Sequence, residues 1–196
     1  MEIVFDLPHA FGPGSSPEER TAVVDLLKRC ARECGCGLSG PKGTQVAFQL
    51  GKAFSPGSSP RENARKLYAL LGCLKAINLA YIQRRGLVGV DAYGSVVPTY
   101  DTPVYYDRTI VWDSIPALQA RGYGDCKSLA CAIGAEYEYR GYKTMPVHRY
   151  VRAEDSDTGQ MQYHILVLGP YGFEDMSKVK GMGYHENAAP LRQRVG

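Results

Sequence analysis

Apolar residues recur at helical spacing in three stretches of the chain. Between Pro17 and about Glu33, the residues Val23, Val24, Leu27 and Cys30 fall on one face, and Gly35 stands where such a helix would end. Between Pro60 and about Arg85 the repeating set is Leu67, Leu70, Leu71, Leu74, Ile77 and Tyr81, with Gly86 beyond it. From Cys126 onward, Leu129, Ala130, Ile133 and Tyr137 mark a third helix ending at Gly141. The first two share a start signal. Ser16 and Ser59 occupy the N-cap, Pro17 and Pro60 the first helical position, and Glu19 and Glu62 the third, which is the pattern of a capping box. The signal belongs to a longer self-similarity, Ala10 to Pro17 against Ala53 to Pro60, with Leu27 matching Leu70 and Cys30 matching Cys73. Two copies do not make a solenoid, and two similar caps account for the repeat.

Strand signals are concentrated late in the chain. Tyr163-His164-Ile165-Leu166-Val167-Leu168 is apolar on both faces and is predicted to be a buried central strand. Gly169-Pro170-Tyr171-Gly172 then turns the chain into Phe173-Glu174-Asp175-Met176. A hairpin that pairs Leu168 with Phe173 sets Leu166 opposite Asp175, and His164 on the same face comes within diagonal reach of that carboxylate. Residues 87–110, rich in Val, Tyr, Gly and Pro, are predicted as short strands or an extended crossing segment. The organisation expected is one compact domain, with an N-terminal accessory segment over 1–52 and a core over 53–196.

Composition narrows the function classes. In 196 residues, 23 Lys+Arg against 20 Asp+Glu leave a net charge of +3, too weak a field for a dedicated nucleic-acid binder. With 44% hydrophobic and 22% charged residues the chain has a globular composition, and a domain of this size buries roughly 70% of its unfolded surface without needing a metal or disulfide. No apolar run approaches the roughly 20 residues that span a bilayer, and the N-terminus has neither a basic flank nor a signal-like apolar stretch, so neither a membrane span nor a signal peptide is expected. The 6 cysteines form no CxxC pair, which points to free thiols in a reducing compartment. Cys30, Cys34 and Cys36 invite a zinc reading but lack an evident fourth ligand, so no metal is expected. Gly12-Pro13-Gly14-Ser15-Ser16 lacks the Gly-Lys-Ser/Thr end of a phosphate loop and is better explained as a helix cap. The 14 tyrosines suit either an interface or a Tyr-rich core edge.

Candidate chemistry centres on Cys126, which follows Gly122-Tyr123-Gly124-Asp125 and opens the third helix. A thiol there faces unpaired backbone N–H groups and the positive end of the helix dipole, a setting that favours the thiolate. Cys131, one turn further in, lacks that help. Free cysteine is also among the most buried residue types, so a small core hydrophobe is the competing explanation. A thiol nucleophile needs a base. His164 is the first candidate, His148 in Pro146-Val147-His148-Arg149 the second, and His9 and His185 are terminal or loop residues.

The order Cys126, His164, Asp175 resembles the transglutaminase-like superfamily, whose members place Cys at a helix start and His and Asp on neighbouring strands. More than the triad carries the likeness. Pro103-Val104-Tyr105-Tyr106, Trp112-Asp113-Ser114-Ile115-Pro116, Arg121 through Ala130, Tyr163 through Val167, and Glu174-Asp175-Met176-Ser177 through Met182 are similar to transglutaminase-like proteins encoded by tailed phages and prophages. The similarity covers about residues 100–183. Family members often carry acidic residues after the Cys and Pro after the Asp, where this chain has Lys127-Ser128 and Met176.

The resemblance implies an α+β fold of transglutaminase-core, papain-like type, with the nucleophile at a helix N-terminus packed on a small antiparallel sheet. It implies a Cys126–His164–Asp175 triad and no cofactor. The activity implied is cysteine-dependent amide hydrolysis or acyl transfer on protein or peptidoglycan peptide bonds. Candidates for meeting the oxyanion or the substrate are the Cys126 backbone N–H, Trp112, Gln119, Tyr123 and Gly124. The expected partners are a peptide or peptidoglycan-peptide substrate and other virion proteins, without direct nucleic acid, in a virion or host cytoplasm. The alternative is a phage structural or assembly protein that keeps the fold and docks through its surface.

Overall fold

In the computed structural model, described residues are 2–6, 16–35, 37–42, 45–49, 59–85, 105–106, 111–152 and 161–179. A first strand, β1 (Glu2–Asp6), precedes helix α1 (Pro17–Cys34), whose ends lie where local chemistry puts them. Ser16 Oγ accepts from the Glu19 N–H at 3.2 Å and the Ser16 N–H donates to Glu19 Oε2 at 2.9 Å, so both halves of the capping box are made. At the other end Gly35 adopts φ +65°, a left-handed conformation, and its N–H returns to the Ala31 and Arg32 carbonyls. Strands β2 (Gly37–Lys42) and β3 (Gln45–Gln49) follow, and β3 pairs antiparallel with both β1 and β2. Nothing in the periodicity of residues 1–52 had announced this sheet. Its Phe48 is fully buried in the same core as Val23, Leu27, Cys30 and Ala31 of α1.

Helix α2 (Pro60–Arg85) buries Leu67, Leu70, Leu71, Leu74 and Ile77 against α1 on one side and α4 (Cys126–Tyr139) on another. Every residue of α4 from Ser128 to Tyr137 is buried, which makes it the central helix. Between them lies α3 (Ile115–Arg121), a short helix missed by periodicity because seven residues show fewer than two repeats of the pattern. Within 87–110 the described part is β4 (Tyr105–Tyr106), which pairs in parallel with β5 (Tyr123–Gly124); the rest of that span, Gly86, His9 and His185 lie outside the described residues.

The last sheet is antiparallel in the order β6 (Met145–Arg152), β7 (Met161–Gly169), β8 (Gly172–Glu174), and a short helix α5 (Met176–Val179) follows it. Leu168 pairs with Phe173 across the Pro170-Tyr171 turn, the register that a two-residue connection imposes. β7 is the central strand, but its two faces differ. Ile165 and Val167 are buried, with Gly134 of α4 backed against Val167, whereas Leu168 is 39% exposed. The expectation of burial on both faces is therefore corrected: an antiparallel sheet needs a cover on one face, and here α4 supplies one. The whole is a mixed architecture of packed helices and small, mainly antiparallel sheets.

One long-range contact fixes the entry to the site. Ser114 stands at the N-cap of α3 but makes no side-chain cap bond, and the Ile115 N–H donates instead to Oδ1 of Asn78, a fully buried residue of α2, at 2.8 Å. Asn78→Ala leaves that buried N–H without its acceptor. It should lower unfolding stability by roughly 1–3 kcal/mol, measured by urea denaturation.

Candidate functional site

Cys126 is the first residue of α4 and is half-buried. Asp125, extended at φ −102° and ψ −178°, is the N-cap, and its Oδ1 accepts from the Ser128 N–H at 3.2 Å. Ser128 Oγ in turn accepts from the Asp113 N–H at 3.1 Å, and Asp113 Oδ2 accepts from Arg121 at 3.2 Å. Lys127 folds back so that Nζ meets Asp125 Oδ2 and lies 5.8 Å from the centroid of the Trp112 ring. Burial pushes the Asp125 carboxyl above the usual carboxylate range, and the Lys127 charge and hydrogen bond oppose that rise. The nucleophile candidate thus sits on a helix start that is tied on both sides by buried polar groups.

His164 reaches this helix start from β7. Its Nε2 lies 2.9 Å from Asp175 Oδ2, and Cys126 is the second group, after Asp175, that raises the ring's pKa. The diagonal relation has a simple origin. β8 stops at Glu174, opposite Val167, and Asp175 heads α5, where its Oδ1 accepts from the Lys178 N–H at 3.3 Å. One carboxylate oxygen holds the turn and the other holds the ring. With side-chain exposures of 15% for His164 and 19% for Asp175, the pair is shielded yet open to solvent.

These contacts bias protonation. The hydrogen bond with Asp175, then that with Cys126, outweigh burial and push the His164 pKa up to about 9. Burial alone would raise the Asp175 carboxyl, but the hydrogen bond and charge of His164 together with Lys178 hold it below its usual range. Near neutral pH the ring is consequently an imidazolium facing a carboxylate. Because the folded His164 pKa lies above its ordinary value of 6.5, its contribution, on the order of 3 kcal/mol, is complete below about pH 6.5 and fades as pH rises to about 9. Asp175, shifted the other way, contributes above its ordinary pKa of 3.8 and loses that contribution in acid. NMR titration of the His164 ring should give a midpoint near 9 in the native chain. Asp175→Asn should lower it more than Cys126→Ala does, and the loss of unfolding stability between pH 6.5 and 9 should vanish with His164→Gln.

The remaining candidates are placed as follows. Trp112 is buried beneath Lys127, and Gln119 is half-buried on α3. Tyr123 is exposed with the Arg121 guanidinium 5.7 Å from its ring centroid. Gly124 is buried, and a Cβ there would lie 2.1 Å from Leu118 Cδ2, so close packing of β5 on α3 is sufficient to explain that glycine. His148 sits on β6 in register with Ile165, and its side chain lies outside the described residues. Of the proposed zinc cysteines, Cys30 is buried in the core against Cys73 of α2, while the side chains of Cys34 and Cys36 lie outside the described residues. Among the described residues no group of three or more His, Cys, Asp or Glu is arranged to hold a metal, and no helix is long and apolar enough to cross a membrane. Periodicity and motif spacing missed Lys127, Asp113 and Arg121 as parts of the site; the opposite charges of Asp125 and Lys127 on either side of Cys126 were the available signal. No protein family, curated protein or solved structure was found to match the chain.

Proposed function

We propose that the chain is a cysteine-dependent amide hydrolase or acyltransferase with a papain-like, transglutaminase-type site, virion-associated and acting on protein or peptidoglycan peptide bonds. The observation that carries this reading is the His164–Asp175 pair, 2.9 Å between Nε2 and Oδ2, whose ring pKa is raised by Asp175 and then by Cys126 at the start of α4. The proposed reaction starts from the ion pair in which the Cys126 proton already rests on His164, and the thiolate Sγ bonds to the amide carbonyl carbon. The carbonyl oxygen, now anionic, is met by the Cys126 backbone N–H, one of the unpaired donors of a helix start. His164 then gives its proton to the amine as the C–N bond breaks, leaving a thioester. Water or a second amine, deprotonated by His164, attacks the thioester carbon and releases Sγ. Asp175 holds the imidazole in the tautomer that serves both transfers.

An activated ester tests the chemistry without knowledge of the natural substrate. With p-nitrophenyl acetate the chain should release p-nitrophenolate in a burst and carry the acetyl group on Cys126, located by peptide mass spectrometry. Iodoacetamide should label Cys126 ahead of Cys30, Cys73 and Cys131, all buried, and His164→Ala should slow labelling at Cys126 alone. Acetylation spread over several cysteines, indifferent to His164, would exclude a primed nucleophile.

A specific observation also favours the structural alternative. Met145, Leu168 and Phe173 are paired across β6, β7 and β8, so they form one row on one sheet face, at 54%, 39% and 71% exposure. A phage assembly protein that docks through such a row would lose incorporation into particles on Phe173→Ser and keep it on Cys126→Ala.

A further inference from the structure

Lys127 is the residue after the candidate nucleophile, and the contacts around it are unlike those of a solvated lysine. Its side chain is 13% exposed and that of Asp125 is 10% exposed, so the pair flanks Cys126 on both sides of the chain with little water to screen either charge. Asp125 cannot be replaced cheaply by an apolar residue, because its Oδ1 caps the Ser128 N–H. A buried capping carboxylate one residue before the nucleophile is itself a charge that needs a partner. Lys127, held between Asp125 and the Trp112 face, supplies the balancing charge at the one position where a helix surface pair would not be expected, since residues two apart in a helix do not face each other. The pairing arises because Asp125 lies outside the helix in extended conformation and turns its carboxylate back over the first turn.

We propose that Lys127 is a positioning residue for Cys126: it cancels the buried Asp125 charge beside the thiol and, through Asp125 and Trp112, holds the first turn of α4 in the geometry that presents Sγ to His164. This rests on Cys126 acting as the nucleophile. It predicts a charge cycle. Using the full chain and neutral iodoacetamide at pH 7, Lys127→Met, which keeps length and apolar contact with Trp112, should slow alkylation of Cys126 roughly three- to tenfold. Lys127→Arg should restore the rate to within about twofold, because the charge rather than the ammonium shape is what matters. Asp125→Asn keeps a capping oxygen and removes the negative charge, so its rate should be no lower than that of the native chain. Asp125→Asn combined with Lys127→Met should recover most of the rate lost in Lys127→Met alone.

Circular dichroism and thermal melts accompany each variant. Native speed in folded Lys127→Met, or a double variant as slow as the single one, overturns the proposal. Should Lys127→Met not fold, Asp125→Asn remains readable, and a rate below that of the native chain overturns the proposal in that case. The underlying assignment fails separately: if His164→Ala leaves Cys126 labelling unchanged, the nucleophile itself is lost, whereas a strong His164 effect beside a silent Lys127→Met removes only the role given to Lys127.

Discussion

Cys126→Ala is expected to abolish turnover of any amide or ester the chain cleaves, and His164→Ala to lower kcat by about 10²- to 10⁴-fold, the usual worth of a positioned general base. The proposed roles make these losses non-additive, so the double variant should be hardly worse than Cys126→Ala alone. Asp175→Asn is expected to act on the same step through the ring. It replaces the carboxylate facing Nε2 by an amide, takes away the main cause of the raised His164 pKa, and leaves the imidazole free to adopt the wrong tautomer. None of the three should cost much stability near neutral pH beyond the His164–Asp175 contribution, since Cys126 is half-buried and a thiol-to-methyl change removes little volume. Steady-state kinetics on p-nitrophenyl acetate, with melts run in parallel, checks both halves. Turnover unchanged in Cys126→Ala would move the function to the exposed apolar row on the last sheet.

The largest effect on folding should come from the junction of the three long helices. Leu71 is fully buried in the cluster that joins α1, α2 and α4, and its carbonyl also accepts from Cys131 Sγ at 3.3 Å. Leu71→Ala keeps that backbone acceptor and removes the side chain, so the expected cost of about 2–5 kcal/mol is a cavity effect. For a chain of this size that corresponds to a fall in Tm of roughly 5–15 °C. Urea and thermal unfolding both report it. Because α4 carries Cys126 at its first residue, labelling of Cys126 in the still-folded Leu71→Ala protein should lose part of its dependence on His164. A stability change under about 1 kcal/mol would mean that this junction repacks freely and does not position the site.

How much of this was legible in the chain follows the range of the interactions. The Ser16–Glu19 box, Pro17 and Gly35 bound α1 through contacts within four residues, so the helix could be drawn from the letters alone. The same holds for the start of α4 at Asp125-Cys126 and for the Leu168–Phe173 register, which a turn of two residues imposes on its strands. By contrast, the sheet of β1, β2 and β3 depends on pairing across α1, and α3 borrows its cap from Asn78 on a helix far away in sequence. No local pattern encodes either, because the partner that satisfies each backbone group is supplied by another element.

The candidate site divides along the same line. By itself the sequence determined that a cysteine would open a buried helix and that a hairpin would carry the histidine on one strand, since capping, periodicity and turn length are local properties; the aspartate expected on the neighbouring strand lies one residue past its end, where β8 gives way to α5. Tertiary structure alone decided that His164 uses Nε2 to meet Asp175, that one face of β7 stays open, and that Lys127 turns back onto Asp125 and Trp112. Those outcomes depend on how α4 lies on β7 and on which charges that packing removes from water, and a buried charge takes whatever partner the packing leaves within reach.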